Sequence, residues 1–123
     1  MTLMGLRTVI YRVPKNNLKK ATLWYSKLLG VKPYFEEPFY VGFNVGGFEL
    51  GLDPDEGEII MGNNVVTYWG VKDIEMALGH SLKSEATKES DIREVGEGIK
   101  VATLKDPFGN LLGLIENPHF KIQ

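Results

Sequence analysis

The sequence predicts an α+β fold made of two tandem βαβββ modules with mixed sheets. One observation is that the order strand, helix, strand, strand, strand occurs twice along the chain. A second is that residues 47–52 and 109–114 both place glycine first and fifth and leucine fourth and sixth. A third is size, because 123 residues with 43% hydrophobic content suit a single domain. We interpret the repeat as an internal duplication with modules near residues 1–60 and 61–123; the alternative is a chance match of two glycine-bearing strands.

The first module begins with a strand at residues 6–13, which are rich in β-branched and aromatic side chains and end at Pro14. Asn17 is a candidate helix N-cap, and Gly30 is a natural helix stop. Apolar residues at helical spacing between them predict one buried stripe, formed by Leu18, Ala21, Trp24, Tyr25, Leu28 and Leu29. Three further strands are predicted, joined by turns at 36–38 and 46–47; they are residues 33–35, 39–45 and 48–52.

The second module follows a predicted connector at residues 53–63, which contains turn residues and no sustained period. A strand at 65–71 leads to Asp73, a good helix N-cap. The next helix is predicted from an apolar stripe of Ile74, Ala77, Leu78, Ser81 and Leu82. The remaining strands are predicted at residues 92–95, 99–104 and 111–115, with a tight turn at 106–110.

Composition excludes several classes of protein. The formal net charge of −2 argues against a nucleic-acid partner, because phosphate binding needs clustered Lys and Arg. The absence of cysteine excludes disulfides and thiolate chemistry. No apolar run reaches the roughly 18–20 residues that span a bilayer, so we expect a cytoplasmic protein with no membrane partner. Phosphate-loop, nucleophile-elbow and H-E-x-x-H motifs are absent from the sequence.

Two runs give the doubled order a more specific meaning: W-Y-S-K-L-L-G at residues 24–30 and D-P-F-G-N-L-L-G-L-I-E at 106–116. Together they resemble the glyoxalase/bleomycin-resistance/dioxygenase (vicinal oxygen chelate) superfamily over nearly the whole chain. The resemblance implies that each module's sheet curls into a half-open cup, that two cups face one site, and that the protein is a homodimer. It does not settle function, because the superfamily includes isomerases, dioxygenases, drug-modifying enzymes and sequestering proteins.

The resemblance also allows a test for a metal centre. Catalytic members hold a divalent metal with His or Gln on the first strands of the modules and Glu on the last strands. The matching positions in this sequence are Thr8, Val66, Gly51 and Gly113. None is a normal metal ligand, although a shift of two residues would bring in Glu49. His80 falls within a predicted helix and His119 after the last strand, so we expect no metal and no cofactor.

Strand alternation indicates which side chains could contact a ligand. If Leu50 and Leu52 pack against the helix, the opposite face of the sheet, here called the helix-free face, holds the candidates. These are Thr8, Arg12, Tyr40, Asn44, Glu49 and Tyr68. Glu49 is the candidate catalytic base, and glycines at 51 and 113 would widen the cup. Alternatively, Tyr40 and Tyr68 are core residues, and Arg12 pairs with Glu49.

The sequence therefore indicates a protein that binds a small organic ligand, as bleomycin-resistance-type proteins do, without a metal centre. It leaves open a lyase, isomerase or dioxygenase that uses Glu49 as a base or a partial metal site. An interaction protein with a filled cup is a further alternative.

Overall fold

The described part of the chain contains nine strands and two α-helices in two compact units. The computed structural model describes residues 2–57, 59–60, 64–105, 107 and 110–122. The N-terminal unit comprises Thr8–Val65 with Ile122–Gln123, and the C-terminal unit comprises Met1–Arg7 with Val66–Lys121. Neither described helix is long and apolar enough to cross a membrane.

The N-terminal unit has the predicted order of one strand, one helix and three strands. The strands are ordered β2-β3-β4-β1, with β1 parallel to β4 and the other pairs antiparallel. Residues 3–7 of β1 belong to the C-terminal unit. The elements are β1 (Leu3–Pro14), a 3-10 turn (Lys15–Asn17), α1 (Leu18–Leu29), β2 (Phe35–Glu37), β3 (Tyr40–Val45) and β4 (Phe48–Asp55).

Helix α1 begins and ends at the predicted residues, although its N-terminus is not capped as expected. Asn17 occupies the N-cap position, but its side chain makes no capping hydrogen bond, since the 3-10 turn leads directly into the helix. Gly30 ends the helix in the left-handed conformation, with φ of 72°, and its N–H donates to the Ser26 carbonyl oxygen. The predicted single stripe is wrong at Trp24 and Leu28, because both side chains are exposed.

The core of the N-terminal unit lies between α1 and one face of its sheet. Its fully buried members are Val41, Phe43 and Leu52, which pack with Leu18, and Leu50 joins them from the sheet. The predicted alternation is therefore confirmed for β4. The face of β1, β3 and β4 opposite α1 is the helix-free face. Its residues alternate along each strand with those that pack against α1.

The C-terminal unit repeats the order with one addition. Its strands are ordered β5-β9-β8-β6, and β7 also pairs with β8. Thus β6 and β7 together pair with one edge of β8, where a single strand was expected. The elements are β5 (Val65–Val71), α2 (Ile74–Lys83), β6 (Thr87–Lys88), β7 (Arg93–Gly96), β8 (Ile99–Lys105) and β9 (Leu111–Glu116).

Helix α2 starts where the sequence predicts. The Asp73 side chain accepts a hydrogen bond from the Met76 N–H at 3.1 Å, and Glu116 accepts from the Ile74 N–H at 3.0 Å. Below the helix, apolar residues of α2, β5, β8 and β9 form the core of this unit. They are Val71, Ile74, Ala77, Ala102, Leu104 and Leu114.

The two units share an arrangement that supports the internal duplication. In each, the first strand lies parallel to the last, as β1 lies beside β4 and β5 lies beside β9. Ile10 is opposite Gly51 in one pair, and Tyr68 is opposite Gly113 in the other. The α+β fold of two tandem modules is confirmed.

The bounds of two strands, β2 and β4, differ from the sequence prediction for physical reasons. Strand β2 is Phe35–Glu37 rather than 33–35, because Pro38 and Phe39 suffice to make the turn into β3. Strand β4 runs on to Asp55, into the predicted connector, because β1 keeps pairing with it as far as Pro14. Residues 58 and 61–63 of the connector, and 106, 108 and 109 of the predicted turn, lie outside the described residues.

Candidate functional site

Two glycines stand side by side on the helix-free face of the N-terminal unit. Gly42 of β3 is paired with Gly51 of β4, and both are buried. A Cβ added at Gly51 would lie 2.7 Å from Tyr40 Cζ, and one added at Gly42 would lie 3.0 Å from Tyr34 Cε1. The rings of these tyrosines therefore occupy the space that side chains would take. At Gly51 the expected widening is wrong, since the missing side chain is replaced by a ring.

The two phenols meet at one carboxylate. The Tyr34 hydroxyl donates to Glu49 Oε1, and the Tyr40 hydroxyl donates to Glu49 Oε2. Glu49 is half-buried and lies opposite Thr8 of β1 and Asn44 of β3 in the strand register. Tyr34, Tyr40 and Glu49 are called the Glu49 cluster below. Each carboxylate oxygen accepts one phenol hydrogen bond and keeps a second acceptor site, so Glu49 could accept a proton while both phenols stay in place.

The environment keeps both phenols protonated. Burial, followed by the charge of Glu49 and its hydrogen bond, raises the pKa of Tyr40 far above the ordinary tyrosine value. Tyr34 is largely exposed, but partial desolvation of its hydroxyl group, followed by the hydrogen bond to Glu49, also raises its pKa. The cluster is therefore a negative carboxylate held by two neutral donors.

The other candidates of the N-terminal unit lie around this cluster. Thr8 is buried, and Arg12 lies opposite Asp53 in the register, four residues along β4 from Glu49. The predicted partner of Arg12 was Glu49, but the register places Asp53 beside it. Asn44 Oδ1 accepts from the Gly47 N–H at 2.9 Å, so this side chain stabilises the β3–β4 turn.

Tyr68 lies in the C-terminal unit and has the character of a core residue. It is 6% exposed, and a Cβ added at Gly113 would lie 2.6 Å from its Cγ. At Gly113, too, a tyrosine ring takes the space that was expected to widen the cup.

Tyr34 is the member of the Glu49 cluster that the sequence prediction did not include. Its N–H donates to the Gly42 carbonyl oxygen at 3.0 Å, and its ring turns over that glycine from outside β2. With β2 predicted two residues early, Tyr34 was assigned to a strand and its contact with Gly42 was missed. Gly42 was the feature of the sequence that could have indicated this contact. A glycine within a strand has no side chain and often marks a close approach of another group.

Comparison with known proteins gives matches at the level of structure. No family model matches the chain, and no curated protein matches it. A structure described as an NAD-dependent benzaldehyde dehydrogenase from Legionella pneumophila is 19% identical, with a TM-score of 0.66, over 93% of this chain and 98% of that one. A glyoxalase/bleomycin resistance protein/dioxygenase superfamily member from Vibrio splendidus 12B01 is 19% identical, with a TM-score of 0.62, over 91% and 99%.

A Mn(II)-bound glyoxalase from Novosphingobium aromaticivorans is also similar. It is 16% identical, with a TM-score of 0.72, over 98% of this chain and 41% of that one. The chain thus has the fold found in glyoxalase/bleomycin resistance/dioxygenase superfamily proteins. Identities this low establish the fold alone, and the different names of the three proteins show that this fold carries different activities.

The Mn(II)-bound protein of similar fold raises the question of whether a metal fits here. Such a metal needs three or four converging oxygen or nitrogen donors. Of the matching positions, Thr8 has only a hydroxyl and Val66 has no donor. The space above Gly51 and Gly113 is taken by tyrosine rings. The residues at these positions do not fit a superfamily metal centre.

Neither histidine lies near these positions in its unit's sheet. His80 is an exposed residue of α2, and His119 follows β9, with its Nε2 2.9 Å from the Glu97 carbonyl oxygen. Both are surface residues, as the sequence predicted.

Three carboxylates elsewhere in the described chain lie close enough to share a cation: Asp73, Glu75 and Glu116 have ligand atoms within 4.8 Å of one another. Asp73 and Glu116 accept backbone N–H groups at the start of α2. Glu75 lies 3.5 Å from the Lys100 amine. Helix capping and this ion pair explain the group.

We expect Gly51→Ala to destabilise the protein by about 1–3 kcal/mol, because the added methyl must displace the Tyr40 ring. Gly79→Ala is the matched control, since Gly79 lies in α2 with no atom within 4 Å of an added Cβ. It should stabilise by about 0.5–1 kcal/mol through helix propensity. Urea unfolding measures both. A Gly51→Ala protein as stable as wild type would contradict the close approach.

We expect the free energy of unfolding to decrease as the pH rises above about 10, the ordinary tyrosine pKa. The raised phenol pKa values mean that the folded protein keeps protons that the unfolded chain releases. This stabilisation is complete below the unfolded-state pKa and is lost as the pH rises towards the folded-state value. Urea unfolding across this range should show a shallower decrease for Tyr34→Phe/Tyr40→Phe than for wild type. Equal slopes would show that neither pKa is raised.

Proposed function

We propose that this protein binds a small organic molecule on the helix-free face of its N-terminal unit, and that it does so without a metal centre. The observation that supports the proposal most directly is the Glu49 cluster. Small-molecule sites are mostly apolar surfaces with a few polar groups held in place, and a half-buried carboxylate fixed by two phenols over a glycine floor has this character. The bleomycin resistance name among its structural neighbours supports the same proposal.

A thermal-shift screen of uncharged, cationic and anionic aromatic compounds, followed by calorimetry, tests the proposal. We expect at least one compound to raise the melting temperature, since ligands that bind the folded state stabilise it. Chelator treatment should leave this binding unchanged.

The binding should also depend on the Glu49 cluster. Tyr40→Phe should weaken it by about three- to tenfold, the value of one hydrogen bond, because Glu49 loses a donor that orients it. Tyr25→Phe is the control, because it removes the same hydroxyl from a ring of α1 that packs on the opposite face of the sheet. The proposal fails if no compound binds the folded protein, or if the two variants behave alike.

The second candidate is an enzyme: a lyase, isomerase or dioxygenase of the superfamily that uses Glu49 as base or as part of a metal site. The exposure of Tyr34, at 61%, favours it, since this phenol has room to swing away and free one carboxylate oxygen. Turnover of glyoxalase-type or dioxygenase-type substrates that is lost in Glu49→Gln would support this candidate. If that turnover also survives chelators, the base is favoured over the metal.

We also propose that the protein is a homodimer. The support is the outer side of α1, where Leu23, Trp24 and Leu28 are all exposed. Apolar side chains grouped on one helix surface are typical of protein contacts. The cytoplasmic location and the absence of a cofactor stay predictions.

Sedimentation equilibrium tests the dimer. Leu28→Lys should weaken association by about tenfold or more, because a charge would be buried in the contact. Met76→Lys places the same side chain on an exposed site of α2 and should have no effect. A monomeric wild-type protein, or equal effects of both variants, would overturn the proposal.

A further inference from the structure

The Glu49 cluster is bordered by additional exposed aromatic rings. Phe35 of β2 lies opposite Gly42 in the register, and its ring centroid is 6.2 Å from that of Tyr40. Phe39, in the turn before β3, is 66% exposed and lies 5.9 Å from Phe35 in an edge-on arrangement. Tyr34, Phe35, Phe39 and Tyr40 form what we call the aromatic patch.

The aromatic patch places exposed rings beside the Glu49 carboxylate. Two of the four rings, Tyr34 and Phe39, are more than 60% exposed, so their faces can contact a solute. Aromatic faces carry negative quadrupole potential and attract cations. The phenols are neutral donors, so they leave the negative charge of Glu49 in place.

The segment of sequence that carries the patch is acidic. Between Lys32 and Lys72 there is no Lys, Arg or His. The same stretch, which supplies β2, β3 and β4, contains seven acidic residues: Glu36, Glu37, Glu49, Asp53, Asp55, Glu56 and Glu58. Lys15 pairs with Glu56 at 2.6 Å, and Arg12 lies opposite Asp53. Of the described carboxylates, Glu37 lies opposite Tyr40 in the strand register and Glu49 accepts the Tyr40 hydroxyl, so two of them border the patch, and grouped negative charge attracts positive solutes.

We propose that the aromatic patch and Glu49 bind an organic cation, a charged amine or quaternary ammonium attached to an apolar body. The ammonium group contacts the rings and the Glu49 carboxylate, and the apolar body covers the exposed aromatic surface. This inference rests on the proposed function, because it names the ligand class for the same face. It adds that the positive charge of a molecule determines whether it binds tightly.

Three probes that share a phenyl ring test the selection: benzyltrimethylammonium, benzyl alcohol and benzoate, titrated at low ionic strength and followed by NMR. We expect the cation to bind about tenfold more tightly than the alcohol, and benzoate most weakly. Glu49→Gln should reduce the affinity for the cation by about tenfold and leave that for the alcohol unchanged. Glu56→Gln is the matched control, since it removes the same charge from an exposed residue paired with Lys15 and should have no effect.

A second variant keeps the test valid if Glu49→Gln does not fold. Phe39→Leu changes an exposed residue, keeps apolar bulk and removes one aromatic face, so it should weaken binding of the cation severalfold and of the alcohol little. Equal affinity for cation and alcohol, or equal effects of Glu49→Gln and Glu56→Gln, would overturn the inference while small-molecule binding stands. The inference would also be overturned if none of the three probes bound while uncharged compounds in the broader screen did. If nothing bound in either experiment, the proposed function would be overturned as well.

Discussion

The close approach of tyrosine rings to paired glycines is the contact on which the candidate site is built. Gly42 and Gly51 lie opposite each other, and a methyl group at Gly51 would collide with the ring of Tyr40. Because no side chains project from the sheet there, two phenols can lie over the glycines and donate to different oxygens of Glu49. A carboxylate that is partly removed from water needs such donors, since the desolvation of a charge is costly without them. The glycines therefore determine where the charge of the site can be held.

The C-terminal unit uses the same contact with a different result. Tyr68 covers Gly113 as Tyr40 covers Gly51, yet Tyr68 stands on the first strand of its module and Tyr40 on an inner one. The residue two positions before the glycine is Leu111 in this unit and Glu49 in the other. Both units thus have a glycine under a covering ring, and at this strand position the N-terminal unit has a carboxylate where the C-terminal unit has a leucine. This difference is why the proposed chemistry is assigned to that unit.

The same contacts separate this chain from the Mn(II)-bound protein that shares its fold. A metal centre requires side-chain donors at a few strand positions, and here those positions hold glycines under rings, a valine and a threonine. Glu49 is near, but one carboxylate supplies too few donors to hold a metal. A fold of this kind places strand residues around a site without specifying their chemistry, and the side chains at these positions do not fit a metal centre.

The sequence by itself determined the element order, the helix ends at Gly30 and Asp73, and the face of β4 on which Glu49 lies. These features follow from local chemistry: turn residues, capping and the two-residue alternation of strands. The tertiary structure alone decided that Tyr34 joins Glu49, that Asp53 rather than Glu49 lies beside Arg12, and that rings fill the space above Gly51 and Gly113. It also placed Trp24 at the surface despite its helical spacing. Strand register and ring packing join residues that are distant along the chain, and local patterns contain no information about which distant residue will be the partner.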